Sequence, residues 1–243
     1  MCVAAIAWRA HPRWRLVIIG NRDEFHDRPS APLARWEDGT IAGKDLQAGG
    51  TWLGLNDAGR LALVTNYRVE GHPKPGRPSR GGLVTDWLQG QPPGDIGLMN
   101  PFHLLQIAGE DAWHLTNYPA PARTRLEAGI HGLSNGGFDD RWAKTLRLEA
   151  VLADWLAAGD NPAALFDALR DATPLAPGEN GAGPLPGFTS VFIDNSTYGT
   201  RCSTVIAVDQ AGQGAIIERR FAPDAAPTGE TMLRFSWPVQ AGR

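Results

Sequence analysis

Two apolar runs at the start of the chain, CVAAIAW at 2–8 and RLVIIG at 15–20, constrain its fold more than any other feature. Both are short and carry β-branched residues, and a polar segment with His11, Pro12 and Arg13 separates them. That pattern reads as a hairpin of buried strands. The chain therefore begins inside its own sheet, with Cys2 as the first residue of a strand.

The same pattern recurs along the chain. Further strands are expected at 51–55, 61–66, 103–107 and 113–116, with turns at Asn56-Asp57-Ala58-Gly59 and Gly109-Glu110-Asp111. Three more follow at 190–193, 202–208 and 215–221, the last two joined by Asp209-Gln210-Ala211-Gly212. Helices are fewer. Leu148, Val151, Leu152, Trp155 and Leu156 recur at helical spacing behind a cap at Asp139 or Asp140, Asn161-Pro162 restarts a helix, and 79–88 makes a third. Strands, then helices, then strands predict an α+β arrangement of antiparallel sheet layered with helices, not a doubly wound fold. Glycine and proline, 29 and 19 of 243 residues, fall short of a disordered composition, and no linker divides the chain. One domain over 1–243 is expected, with the Pro/Gly-rich stretches 71–82 and 174–187 as loops.

Charge and composition exclude several classes of function. A net charge of -3 offers no field for nucleic acid, and no apolar run approaches the roughly 20 residues of a membrane-spanning helix. The apolar start is too short for a secretory signal and is followed by Arg9, His11, Arg13 and Arg15, so a cytoplasmic location is expected. Cys2 and Cys202 are too few for a disulfide framework, and the six histidines show no metal-binding pair, so neither metal nor cofactor is expected. A single axial haem ligand needs no motif, which leaves haem open as a ligand.

Cys2 carries the sharpest chemistry. Removal of Met1 would put a thiol and a free α-amine on one residue, and an amine with a pKa near 7.7–8.0 can serve as the thiol's base. The hairpin returns Gly20-Asn21-Arg22-Asp23-Glu24 beside it, where a guanidinium lowers a thiol pKa and a carboxylate orients an amine. The same residues also suit a small core residue and a strand end entering solvent. Arg68, His72, Lys74, Arg77 and Arg80 form a basic cluster after Asn66, suited to a solvated loop or to an anion-recognising lid. Trp36 and Trp52, beside polar loops, are candidates for lining a pocket.

Asn21-Arg22-Asp23-Glu24 with Cys2 before it resembles the signature of the NRDE family, related to the transport and Golgi organisation proteins. The likeness continues through Gly50-Thr51-Trp52-Leu53-Gly54, Thr65-Asn66-Tyr67-Arg68, Ser79-Arg80-Gly81-Gly82, Gly132-Leu133-Ser134-Asn135 and Tyr198-Gly199-Thr200-Arg201, which spans most of the chain. That family is similar in turn to the N-terminal nucleophile hydrolases of the choloylglycine hydrolase type. The resemblance implies a four-layer αββα sandwich of antiparallel sheets. It makes Cys2 the nucleophile, Arg22 and Asp23 its neighbours, Asn66 and Asn135 polar groups around an oxyanion, and Arg201 the late arginine of the site.

The chain departs from the hydrolases at one point. There the arginine precedes the aspartate by three residues, whereas Arg22 and Asp23 are adjacent and on a strand point to opposite faces. Asn21 and Glu24 are the alternative pair, and with Trp52, Arg68, Arg77 and Arg80 they are the expected substrate contacts. Three structural expectations follow: a Cys2 thiol of depressed pKa, a Cys202 turned away from the site by Arg201, and no Cys2–Cys202 disulfide. The expected activity is acyl transfer from a small amide or thioester through a Cys2 acyl intermediate. The alternative is a non-catalytic carrier of haem or acyl-coenzyme A. Relatives of the family have been linked to haem movement.

Overall fold

The structure is a computed structural model that describes residues 2–139, 141–159, 161–175 and 187–239. The expected cap at Asp140 and residues 176–186 of the second loop lie outside the described residues. In chain order the elements begin with β1 (Cys2–Trp8), β2 (Trp14–Phe25), β3 (Ser30–Arg35), β4 (Ile41–Asp45), β5 (Leu53–Leu55), β6 (Arg60–Asn66) and α1 (Gly81–Leu88). They continue with β7 (Phe102–Ala108), β8 (Asp111–Thr116), β9 (Ala122–Arg125), β10 (Gly129–Leu133), α2 (Ala143–Ala158) and α3 (Leu165–Leu169). The last three are β11 (Tyr198–Asp209), β12 (Gln213–Phe221) and β13 (Pro227–Ser236).

The strands form two antiparallel sheets, ordered β10-β1-β2-β11-β12-β13 and β3-β4-β5-β6-β7-β8-β9. Period-two alternation sorts each strand into two cores. Ala4, Ile6, Trp8, Leu16 and Ile18 point between the sheets and meet Leu53, Leu55, Leu61, Leu63 and Leu105 of the second sheet. Val3, Ala5, Ala7, Val17 and Ile19 point outward and meet Leu148, Leu152 and Trp155 of α2 and Leu165, Phe166 and Leu169 of α3. Helix α1 covers the far side of the second sheet through Leu83, Val84 and Leu88. The layers are thus αββα, as expected. Each fully buried Leu, Ile or Val adds roughly 1.5–3 kcal/mol of apolar burial, which makes the alternation, and with it the register, hard to slip.

The first hairpin is as read, but its second strand continues through Phe25, so the Asn21–Glu24 segment belongs to the sheet. Residues 190–193 form no strand, because side chains occupy the main-chain groups a neighbouring strand would use. Asn21 Nδ2 donates to Val191 O at 3.0 Å, and Ile193 N donates to Thr200 Oγ1 at 2.9 Å. Helix α2 starts later than Asp139, behind an extended Trp142 that gives no side-chain cap. At the next helical start Asn161 does cap, accepting from Ala163 N at 3.0 Å, with Pro162 in the first turn. Edge strands β3 and β13 escape the pattern because they are largely exposed and carry no apolar run.

Candidate active site

Strand pairing places Cys2 opposite Arg22 on one side of β2, and Cys202 opposite the same Arg22 on the other. All three border a cleft of about 500 Å³ between the ends of the two sheets. Asp23, Glu24, Trp52, Asn66, Arg77, Arg80 and Arg201 border it as well. Its wall also contains residues that sequence reasoning did not single out, among them Arg28, Lys44, Asp45, Glu218 and Arg220.

A β-bulge between Thr200 and Cys202 corrects the expected orientation of Cys202. The extra residue resets the alternation, so that Arg201 and Cys202 both reach the cleft. Arg201 spends one guanidinium nitrogen on the carbonyls of Phe25 and His26, at 3.0 and 2.6 Å. Both cysteines are free and buried. They stand on strands separated by β2, about 9–10 Å apart at two strand spacings. That exceeds the roughly 7 Å a disulfide can bridge. The absence of a disulfide is therefore a matter of strand order and not of opposite faces.

Arg22 and Asp23 do point to opposite faces, yet both act on Cys2. Arg22 shares the cleft-side face and lies 3.9 Å from Glu24 and 4.0 Å from Asp45. Arg28 donates to Asp45 Oδ2 through Nε and Nη2 at 2.9 and 2.7 Å. Burial pushes the Asp45 carboxyl up, but the Arg28 hydrogen bonds prevail and hold it below the usual range. Asp23 lies on the helix side, accepting the Thr200 hydroxyl at 2.7 Å with Lys144 Nζ at 4.0 Å. Burial raises the Asp23 carboxyl and lowers the Lys144 ammonium, each against the pull of the other.

The Cys2 thiol is raised, not depressed, because burial outweighs the help of the Asp23 main-chain N–H and of Arg22. Cys202 is raised well above the ordinary value, by burial and by Glu218. Lys144 is a further residue that sequence reasoning missed. A signal existed, since Lys144, Leu148 and Leu152 share one face of α2 and the lysine occupies an apolar position.

Three of the expected site residues do not line the cleft. Asn21 is buried on the helix side, donating to Leu169 O at 2.8 Å and accepting from Ser203 Oγ at 2.6 Å, so it braces β2 and touches no ligand space. Asn135 stands behind the cleft wall: its Oδ1 accepts from Cys2 N at 3.1 Å and its Nδ2 donates to Asn66 O at 2.6 Å. Arg68 donates its main-chain N–H to Asn135 O at 2.8 Å, and its exposed side chain does not border the cleft. Trp36 is likewise occupied elsewhere, donating to Ala42 O at 3.0 Å.

The motif glycines explain how the basic loop reaches the cleft. A Cβ on Gly50 would come within 2.6 Å of the Gly81 carbonyl carbon, so only glycine lets the start of α1 close on this turn. Arg80, immediately before α1, is anchored to Pro101 O at 3.1 Å, and burial lowers its pKa. Among the described residues no group of three or more His, Cys, Asp or Glu is arranged to hold a metal, and no helix is long and apolar enough to cross a membrane.

Two solved structures share the architecture at sequence identities that bear on fold alone. The C2A mutant of a conjugated bile acid hydrolase from Clostridium perfringens superposes with a TM-score of 0.52 at 7% identity over 100% of both chains. A Caenorhabditis elegans N-acylethanolamine-hydrolyzing acid amidase ortholog gives 0.50 at 11% identity, covering 84% of this chain and 92% of that one. The layered αββα fold is thus similar to that of both proteins. Among sequences, a mouse Transport and Golgi organization 2 homolog is 28% identical, with 95% of this chain and 97% of the relative covered. A human homolog is 30% identical over 90% and 92%. With residues 1–223 matched by the model of the Transport and Golgi organisation 2 family, the chain belongs to that family.

Proposed function

We propose that the protein is a cysteine-nucleophile acyl-transfer enzyme acting on a small anionic amide or thioester. The observation that carries this reading is the position of Cys2, at the floor of the cleft with Arg22 opposite and its main-chain nitrogen held by Asn135. With Met1 removed, that nitrogen becomes an α-amine of ordinary pKa near 7.7–8.0, adjacent to the thiol it must deprotonate. The thiolate adds to the substrate carbonyl and the amine returns its proton to the departing nitrogen or sulfur. Water then cleaves the Cys2 thioester to release the acid. Asn66, which borders the cleft, is the amide donor for the oxyanion in this scheme, and Arg201 adds positive charge.

The cleft wall carries seven basic residues, Arg22, Arg28, Lys44, Arg77, Arg80, Arg201 and Arg220, against four acidic ones, Asp23, Glu24, Asp45 and Glu218. That surplus favours a carboxylate- or phosphate-bearing substrate, including acyl-coenzyme A. The carrier reading shares this preference. None of the six histidines borders the cleft, which weighs against a histidine-held haem there. A cytoplasmic location suits two unbridged cysteines. The test is a panel of acyl-coenzyme A thioesters and N-acyl amino acids assayed for hydrolysis and binding with wild type and Cys2→Ser, beside mass analysis of the mature N-terminus. Hydrolysis lost in Cys2→Ser supports the enzyme. Binding without turnover in any member makes the protein a carrier.

A further inference from the structure

Helix α2 carries a lysine where its amphipathic pattern calls for an apolar residue. Lys144 sits one turn before Leu148 on the face packed against the first sheet, and its side chain is fully buried. Its Nζ lies 4.0 Å from Asp23 Oδ2, itself fully buried, and finds no hydrogen-bond partner among the described residues. An ammonium taken out of water costs several kcal/mol unless an opposite charge compensates it. The compensating carboxylate is that of the residue following Arg22, the cross-strand partner of Cys2.

Asp23 acts on Cys2 in two opposed ways. Its main-chain N–H donates to the sulfur and favours the thiolate, while its carboxylate charge opposes it. The groups that act on Cys2 and Asp23 come from the neighbouring elements: Arg22 from β2, Thr200 and Cys202 from β11, Arg80 from the loop before α1, and Lys144 from α2. The Asp23 carboxylate has the Thr200 hydroxyl at 2.7 Å and the Lys144 ammonium at 4.0 Å, and both favour its charged form.

We propose that Lys144 is a positioning residue for the Cys2 nucleophile, offsetting the buried Asp23 carboxylate so that Asp23 can brace the end of β2 against Thr200 of β11 without opposing the Cys2 thiolate. The proposal rests on the reading of Cys2 as nucleophile. It does not depend on which base removes the thiol proton, because an uncompensated negative charge opposes a thiolate however it forms.

The experiment measures alkylation of Cys2 by iodoacetamide across pH, by peptide mass spectrometry on the full chain, with Cys202 as internal reference. Lys144→Met is expected to slow Cys2 alkylation about tenfold at neutral pH, the equivalent of moving its titration up by about one unit. Adding Asp23→Asn removes the charge that Lys144 offsets, and the double variant is expected within about threefold of wild type. A purely structural role for Lys144 would not be rescued by Asp23→Asn. Unchanged alkylation in Lys144→Met overturns the proposal, and so does a folded double variant that stays tenfold slow. If Lys144→Met does not fold, the double variant decides alone by the same rule. Alkylation needs no substrate, so a failure here leaves acyl transfer by Cys2 standing. An absence of turnover with the Lys144 effect intact would sink only the acyl-transfer reading.

Discussion

Asn135 Oδ1 accepts a hydrogen bond of 3.1 Å from the main-chain nitrogen of Cys2, across 133 residues of sequence. The same amide donates to Asn66 O, so one side chain ties the start of β1 to the end of β6 and joins the two sheets at the cleft. Asn135→Ala leaves both groups without this partner, at a cost of about 1–3 kcal/mol for each that stays buried. A drop of that size in denaturant-unfolding free energy is expected. Asn135→Asp, which keeps the acceptor and loses the donor, should recover part of it.

Reactivity should distinguish the two cysteines. Burial raises both thiols and Arg22 offsets both, but Cys202 is raised further, with the Glu218 charge added to its burial. Competitive iodoacetamide labelling at about pH 8 should modify Cys2 ahead of Cys202. Mild oxidation should produce no internal disulfide by intact mass, because β2 stands between them. Equal labelling rates would remove the case for an activated Cys2.

His103 and His114 make stability acid-sensitive. His103 Nδ1 meets His114 Nε2 at 3.0 Å, and His103 Nε2 donates to Gly136 O at 2.9 Å, next to Asn135. Burial lowers their pKa values to about 4 and about 3, from an unfolded value near 6.5. Between those limits the unfolded chain binds protons that the folded chain refuses. Their contribution is therefore complete above about pH 6.5 and is lost as pH falls toward 4, by on the order of 1 kcal/mol per histidine per pH unit. Urea unfolding from about pH 7 to 4.5 should show this slope, and His114→Phe should reduce it by about one proton. A slope unchanged in that variant would contradict the assignment.

The basic loop should govern affinity without governing chemistry. Arg77 and Arg80 border the cleft and are anchored to Leu98 O and Pro101 O at 3.2 and 3.1 Å, which aims their remaining donors. Arg77→Ala with Arg80→Ala should weaken binding of an acyl-coenzyme A probe by about tenfold or more per arginine, at about 1.5–3 kcal/mol for each charge-assisted bond. Titration calorimetry against a neutral acyl amide provides the control. Equal weakening for the charged and neutral probes would argue against anion recognition.

The sequence by itself determined the layers and the place of Cys2 at the start of the first strand. Period-two alternation in residues 2–8 and 15–20, and helical spacing from Leu148 to Leu156, are local patterns that each force one face inward, and they suffice for antiparallel sheet with helices outside. They also place Arg22 beside Cys2, because a hairpin of known strands has little freedom of register. What only the tertiary structure decided depends on contacts between distant segments. The bulge before Cys202 adds one residue that no periodicity announces, and it turns Cys202 into the cleft. Asn135, expected beside an oxyanion, and Asn21, expected at the substrate, find main-chain partners on neighbouring strands and loops, as buried amides do. The ionisation of Cys2 is likewise a sum over burial, Arg22 and Asp23, and Asp23 in turn lies 4.0 Å from Lys144, a residue more than 120 positions away. Burial is the largest of these contributions, and it exists only once both sheets and α2 have closed around the thiol.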